Sequence, residues 1–318
     1  MATLTFPDVT VIRDGDFLDN FNLKFVRVLA KKKNSLVLEA SMKNDDSIRK
    51  AIKKIPYLDH KGRHRGLEDS TEELTIMHNV QHPHLMKMDW VVTCDSFLAI
   101  YMPLCSQGSL DGLRQSLQRD QVERVFVQTA CALRYLHDQR CVHGDVKPDN
   151  IFLDASDNAI LGDFGCSRIL PDGKNTVSRW KGTLGYLGPE CFLGCKFDPF
   201  LMDAYALGAT LWSLVFRLRP EDLDLLDVVR NSSMPEMYRK VLKGLLRRDP
   251  QMRLSVPDLL EFLSTSEKLR GIMEGDRPLM CTGHLPMLND HPLMSGGHCG
   301  DVSGVDNESR VKPGANIR

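Results

Sequence analysis

The residues best able to do chemistry sit in one stretch, Val142-His143-Gly144-Asp145-Val146-Lys147-Pro148-Asp149-Asn150-Ile151-Phe152-Leu153. An Asp, a Lys two residues on and an Asn five on can serve phosphoryl transfer from a single loop. Asp145 would orient an acceptor hydroxyl and take its proton. Lys147 would neutralise charge on the transferred group, and Asn150 would help to hold Mg²⁺. A second carboxylate for the metal follows in Leu161-Gly162-Asp163-Phe164-Gly165, where Gly165 would let the chain turn away. Either motif alone is weak, but their order and spacing together are specific.

The elements that must position these residues differ on the two sides of the loop. From Asn22 to Tyr101, short apolar runs bounded by polar clusters predict strands: Phe25–Leu29, Ser35–Ala40, Ala51–Ile55, Trp90–Val92 and Phe97–Met102. One helix interrupts them, with Leu74, Met77 and Val80 at helical spacing and Ser70-Thr71-Glu72-Glu73 as a capping box at its start. After Ser106-Gln107-Gly108-Ser109 the pattern turns helical. Val122, Val125, Phe126, Ala130, Leu133 and Leu136 mark a long amphipathic helix, and Phe200–Phe216 an apolar one. Ser233-Met234-Pro235-Glu236 and Ser255-Val256-Pro257-Asp258 read as helix starts, each with a capping Ser, an early Pro and an acid. The prediction is an α+β protein of two lobes. A domain over 21–270 divides near residue 105, behind an extension at 1–20 and before a tail at 271–318 without a packed core.

Composition narrows the function classes. The chain has 318 residues, 42% hydrophobic and 26% charged, ample for a large core. A net charge of -1 supplies no global positive field for coating nucleic acid. The uncharged run Tyr205 to Phe216 is shorter than the about 20 residues of a membrane span. Charges at Asp8, Arg13, Asp14 and Asp16 leave no signal-peptide core, and nine cysteines without a CxxC pair suit a reducing compartment. The expectation is a soluble, cytoplasmic protein, with access to the nucleus left open.

With these motifs in hand, the chain resembles the eukaryotic protein kinase family, serine/threonine type, from about Phe25 to Leu263. The resemblance implies a bilobal protein-kinase fold, with a strand-rich N-lobe carrying one main helix and a helix-rich C-lobe. Lys50-Ala51-Ile52-Lys53 is similar to the family's V-A-I-K strand, which makes Lys53 the phosphate ligand. Gly188-Pro189-Glu190 stands where the family has A-P-E, and Arg253 matches the arginine that pairs with its Glu, here Glu190. Asp203-Ala204-Tyr205-Ala206-Leu207-Gly208 resembles the start of the central helix. Alignment to Gly108-Ser109-Leu110 implies an adenine pocket of Leu29, Val37, Ala51 and Met102, with Pro103 to Cys105 as the linker. These residues also read as ordinary strand core. Counting back from His82-Pro83 gives Glu73 as the partner of Lys53, with Glu72 about 100° around the helix and facing solvent. The other reading of Glu73 is that it closes the capping box with Ser70.

The pattern departs from the family in two main places. The phosphate loop falls on Ala30-Lys31-Lys32-Lys33-Asn34-Ser35 and holds no glycine, so phosphate cover by backbone amides should weaken. Lys31 to Lys33 would supply charge instead, or simply be solvated. Gly144 replaces the Arg that in many members receives an activation-segment phosphate. This H-G-D-V-K loop resembles that of NF-κB-inducing kinase and similar non-Arg-Asp kinases. Thr183 in Lys181-Gly182-Thr183 stands where the resemblance implies a Thr that bonds the catalytic Asp and Lys, which together with Lys147 favours Ser/Thr acceptors, and Thr176 and Ser178 are candidate phosphosites. Cys166 is either reactive or inert packing. Cys281, His284, His291, His298 and Cys299 match no compact zinc module.

The resulting expectation is a Ser/Thr protein kinase using ATP and Mg²⁺ (or Mn²⁺) on protein substrates, with no nucleic acid partner, no membrane insertion and an open oligomeric state. The alternative is a pseudokinase scaffold.

Overall fold

The computed structural model describes residues 10–32, 34–58, 68–220 and 224–275. Strands β1 (Thr10–Ile12), β2 (Leu23–Lys32), β3 (Ser35–Met42), β4 (Arg49–Pro56), β5 (Trp90–Cys94) and β6 (Phe97–Pro103) form a six-stranded sheet in the order β1-β5-β6-β4-β3-β2. All pairs are antiparallel except β1 with β5. Helix α1 (Glu68–Asn79) packs on one face. Side chains alternate in a strand, so each strand feeds two cores. Ala51, Ile55, Leu98, Ile100 and Met102 share a cluster with Leu74, Ile76 and Met77 of α1. Ile52, Phe97, Ala99 and Tyr101 join Phe17 and Leu23 on the opposite face. Lys53 has the parity of Ala51 and Ile55 and is thereby turned toward α1.

The segment set apart by sequence as an extension over 1–20 is, from Thr10 onward, part of this lobe. Besides β1, it contributes Phe17, whose ring meets that of Phe97 edge-on at 5.3 Å and whose carbonyl accepts the Tyr101 hydroxyl. Ser70 does not cap α1. It lies inside the helix, and the acid three residues on is committed elsewhere.

Beyond the strand β7 (Gly108–Ser109) and short helix α2 (Leu110–Leu113), the chain is largely helical. Helix α3 (Arg119–Asp138) is followed by β8 (Cys141–Val142), β9 (Ile151–Leu153), β10 (Ala159–Leu161) and β11 (Arg168–Ile169), then by α4 (Pro199–Phe216). By length and composition α4 could cross a membrane, but 72% of it is buried within the protein and Asp203 lies in its second turn. Helices α5 (Leu225–Asn231), α6 (Glu236–Leu245), α7 (Val256–Ser264) and α8 (Glu267–Gly275) complete the lobe. Ser255 caps α7 in a capping box with Asp258. Ser233 caps nothing, because α6 begins at Glu236 after Pro235. Helix α8 carries ordered structure past residue 271, and the five tail Cys and His residues lie outside the described residues.

The segment leading into α4 is lashed to the end of the lobe by one buried ion pair. Arg253 donates to both Glu190 oxygens, at 2.5 and 2.8 Å, and to the Arg247 and Leu201 carbonyls. Removing one partner strands the other charge in the interior, which costs about 3–5 kcal/mol. Arg253→Ala should therefore lower Tm by roughly 6–20 °C. A thermal melt within about 2 °C of wild type would mean that the pair is not holding the segment.

Candidate active site

One hairpin, a second antiparallel strand pair and one helix bring the polar residues together. Strands β9 and β10 pair antiparallel, so Asn150 before the first and Asp163 after the second come side by side, and the Gly162 amide donates to the Asn150 carbonyl at 2.9 Å. Strands β8 and β11 pair likewise and fix the other end of the loop. The loop backbone hangs on α4. The fully buried Asp203 carboxylate accepts from the amides of His143 and Gly144, both at 2.8 Å, and meets His137 Nε2 at 3.0 Å. His143 bonds the Gly162 carbonyl through Nε2 and accepts from the Asp145 amide through Nδ1, which assigns its proton to Nε2.

Asp145 is held on every side. Thr183 donates its hydroxyl at 2.7 Å and its amide at 3.0 Å to Oδ1, while Lys147 and Asn150 donate to Oδ2 at 2.6 and 2.9 Å. Burial would raise its pKa, but Lys147 and the Thr183 hydroxyl outweigh that and hold the carboxyl below its ordinary range. Lys147 also donates to Thr183 Oγ1 at 2.5 Å.

Opposite lies a second cluster. Lys53 donates to Glu73 Oε1 at 2.5 Å and to Asp163 Oδ1 at 2.8 Å. Desolvation would depress the Lys53 pKa, yet the two carboxylates raise it above the usual lysine value. Asp163 is likewise held far below the carboxylate range, because Lys53 and Lys32 outweigh its burial. Of the two readings of Glu73, the structure has the ion pair. Glu72, expected in solvent, is half-buried and accepts the Ile169 amide at 3.3 Å, and burial raises its pKa.

Between the clusters lies a cleft of about 440 Å³ lined by Leu29, Val37, Ala51, Met102, Pro103 and Cys105, together with Lys53, Glu73, Asn150 and Asp163. Thr176 and Ser178 lie apart from it, exposed on either side of Val177, whose backbone forms a two-way bridge with Phe197 at 2.9 Å. Gly165 does not make the turn assigned to it from sequence. The left-handed residue is Asp163 itself, at φ 63°, and a Cβ on Gly165 would meet its neighbours at ordinary contact distances.

Sequence reasoning missed Trp180. Gly144 has φ +78°, and a Cβ there would overlap the Trp180 indole and approach the Cys166 carbonyl to 2.8 Å. Trp180 packs on the cluster of Val142, Leu170, Phe197 and Met202, with the Arg168 guanidinium 5.1 Å from its ring. The position at which the family resemblance leads one to expect an arginine is here floor space for an aromatic ring. The available signal was the pairing of an unusual Gly with a Trp in the segment 171–183.

Both glycines yield a test. Gly144→Ala should cost at least about 1–3 kcal/mol through backbone strain and displacement of Trp180, and should open 171–183 to limited proteolysis. Gly165→Ala should leave both properties near wild type, and equal damage from the two substitutions would contradict the geometry. The thiols yield another. Burial raises Cys105 to about 12 and also raises Cys166, so both thiols resist ionisation at pH 8. Iodoacetamide should modify exposed Cys195 well ahead of both, as read by peptide mass mapping. Equal rates would show Cys105 to be unshielded.

Comparison with known proteins agrees with this layout. The family model described as "Protein kinase domain" matches residues 31–262. The chain is 32% identical over 193 residues to serine/threonine-protein kinase ppk16 of Schizosaccharomyces pombe, covering 56% of this chain and 29% of that one. It is 32% identical over 223 residues to serine/threonine-protein kinase 36 of Pongo abelii, covering 66% of this chain and 17% of the relative. It is also 28% identical over 198 residues to the carbon catabolite-derepressing protein kinase of Secale cereale, covering 61% and 38% respectively. The matched region thus spans well under half the length of these relatives. A family match over most of the chain, on a fold of strand-rich and helix-rich lobes flanking the cleft, places this protein in the protein kinase domain family.

Proposed function

We propose that the protein is an ATP-dependent serine/threonine kinase, transferring the γ-phosphate of Mg-ATP to Ser or Thr hydroxyls of protein substrates in intracellular signalling. The observation that carries this reading is the Asp145–Lys147–Thr183–Asn150 cluster at the mouth of a cleft that also holds Lys53, Glu73 and Asp163. The apolar lining suits adenine, and the Lys53 ammonium suits the phosphates. Thr183, bridging Asp145 and Lys147, supports Ser or Thr as acceptor.

The roles follow from the charges. A carboxylate held below its ordinary range is a poor base, so Asp145 chiefly orients the acceptor hydroxyl and takes its proton late. A loose phosphoryl transfer tolerates this, because it needs positioning and charge neutralisation more than a strong base. Lys147 faces the transferred group from the acceptor side, and Lys53, held by Glu73, anchors the phosphates from the other.

The donor set fits a divalent cation. The Lys32 ammonium sits on Asp163 Oδ2, marking a cation position, and Asn150 uses its amide nitrogen on Asp145, leaving a carbonyl oxygen as ligand. Mg²⁺ takes one or two protein oxygens and fills its shell with phosphate and water. When bound, the ion would neutralise phosphate charge.

The test is γ-phosphate transfer to a mixed Ser/Thr protein substrate with phosphoamino-acid analysis, wild type beside Asp145→Asn. Transfer onto Ser or Thr that falls at least about 10²-fold in the variant is expected. Wild type and variant equally silent, with Mg²⁺ and with Mn²⁺, would favour a kinase-like scaffold.

A further inference from the structure

We propose that Lys32 is a nucleotide-phosphate ligand, replacing with a side-chain charge the backbone amides that a glycine-rich loop would supply. The proposal deepens the ATP-kinase reading and rests on it.

Strands β2 and β3 form a tight hairpin in which Lys32 pairs with Ser35 across the turn. From sequence, the three lysines at this tip are equally consistent with a solvated loop. The backbone separates Lys31 from Lys32. The ladder slips between Val28 and Ala30, and this bulge changes which side chains face the cleft. Arg27 before the slip and Leu29 within it line the cleft, and beyond it Ala30 and Lys32 do. Without the slip, strict alternation would turn Lys31 inward and Lys32 out. Both lysines are exposed, but of the two it is Lys32 that lines the cleft.

The inward lysine ends on a functional atom. Lys32 Nζ pairs with Asp163 Oδ2, while Lys53 Nζ holds Oδ1. One carboxylate thus binds two ammonium groups, of which Lys53 is buried and also tied to Glu73. The Lys32 side chain is half exposed, with a relative accessibility of 50%, and has no second carboxylate among the described contacts. It is the cation free to transfer its partnership. Polyphosphate oxygens entering the cleft offer it denser negative charge than a carboxylate already shared with Lys53. Nucleotide phosphate in the cleft would therefore draw the Lys32 ammonium from Asp163.

Equilibrium binding of Mg-ATP and of adenosine, measured calorimetrically on the full chain, tests this with Lys32→Met, Lys32→Arg and Lys31→Met. Lys32→Met should weaken ATP by about ten-fold, the value of a lost charge-assisted bond, and leave adenosine unchanged. Lys32→Arg should restore most of the ATP affinity, and Lys31→Met should resemble wild type. ATP bound equally by wild type and Lys32→Met would overturn the proposal alone. So would equal loss of ATP and adenosine, which would mark a structural lysine. Wild type binding neither ligand would overturn the ATP-kinase reading, and this inference with it.

Discussion

A lysine ammonium removed from water must be met by carboxylates, and Lys53 is met by two from distant parts of the chain. Glu73 comes from the helix packed on the sheet, and Asp163 from the turn after a hairpin in the other lobe. Neither acid could be placed without its own element being placed, so the interaction couples sheet, helix and hairpin. Burying an unpaired charge is costly enough that the arrangement holds only when all three are correctly packed. This explains why Lys53 must share the strand face of Ala51 and Ile55, and why the Leu74 and Met77 side of α1 must press against it.

The second organising group is Asp203. It makes no contact with the cleft, yet it holds two consecutive loop amides and a histidine edge from the interior of α4. Asp145 is thus carried on a loop whose backbone is pinned from beneath, while its side chain is pinned from above by Thr183. The segment bearing Thr183 is in turn kept in place by Trp180 over Gly144 and by the Val177–Phe197 bridge. Packing and backbone pairing together thus hold the segment over the loop.

What the sequence disclosed follows from what side-chain identity alone can encode. Asp145, Lys147, Asn150, Lys53 and Asp163 stand in an order and spacing that resemble the protein kinase family, and the structure brings Lys53, Asn150 and Asp163 around one cleft with Asp145 and Lys147 beside Asn150. Arg253 and Glu190, far apart in the chain, were likewise paired through resemblance and meet in the interior. The misses have a different origin. Glu72 was sent to solvent by a helical wheel, which carries no information about the strand β11 that covers that side of the helix. Ser70 had the chemistry of a cap but lies within the helix. Gly165 was credited with a turn that Asp163 makes, since Asp also tolerates the left-handed region. The inward turn of Lys32 depends on a register slip, which leaves no mark in residue types.

That same slip has an effect at the rim of the sheet. Strand β1 covers the free side of β5, but β2 is left at the other border with Phe25 and Val28 exposed at 54% and 50%. An apolar border strand with a regular row of unpaired amides and carbonyls invites a second molecule to add to it, which is how aggregation by strand addition begins. Here the row is broken twice, between Phe25 and Arg27 and between Val28 and Ala30, and Lys24, Arg27 and Lys31 stud its length. An incoming strand would meet a discontinuous template and repelling charge. The irregularity that turns Lys32 into the cleft thus also makes this border a poor template for strand addition.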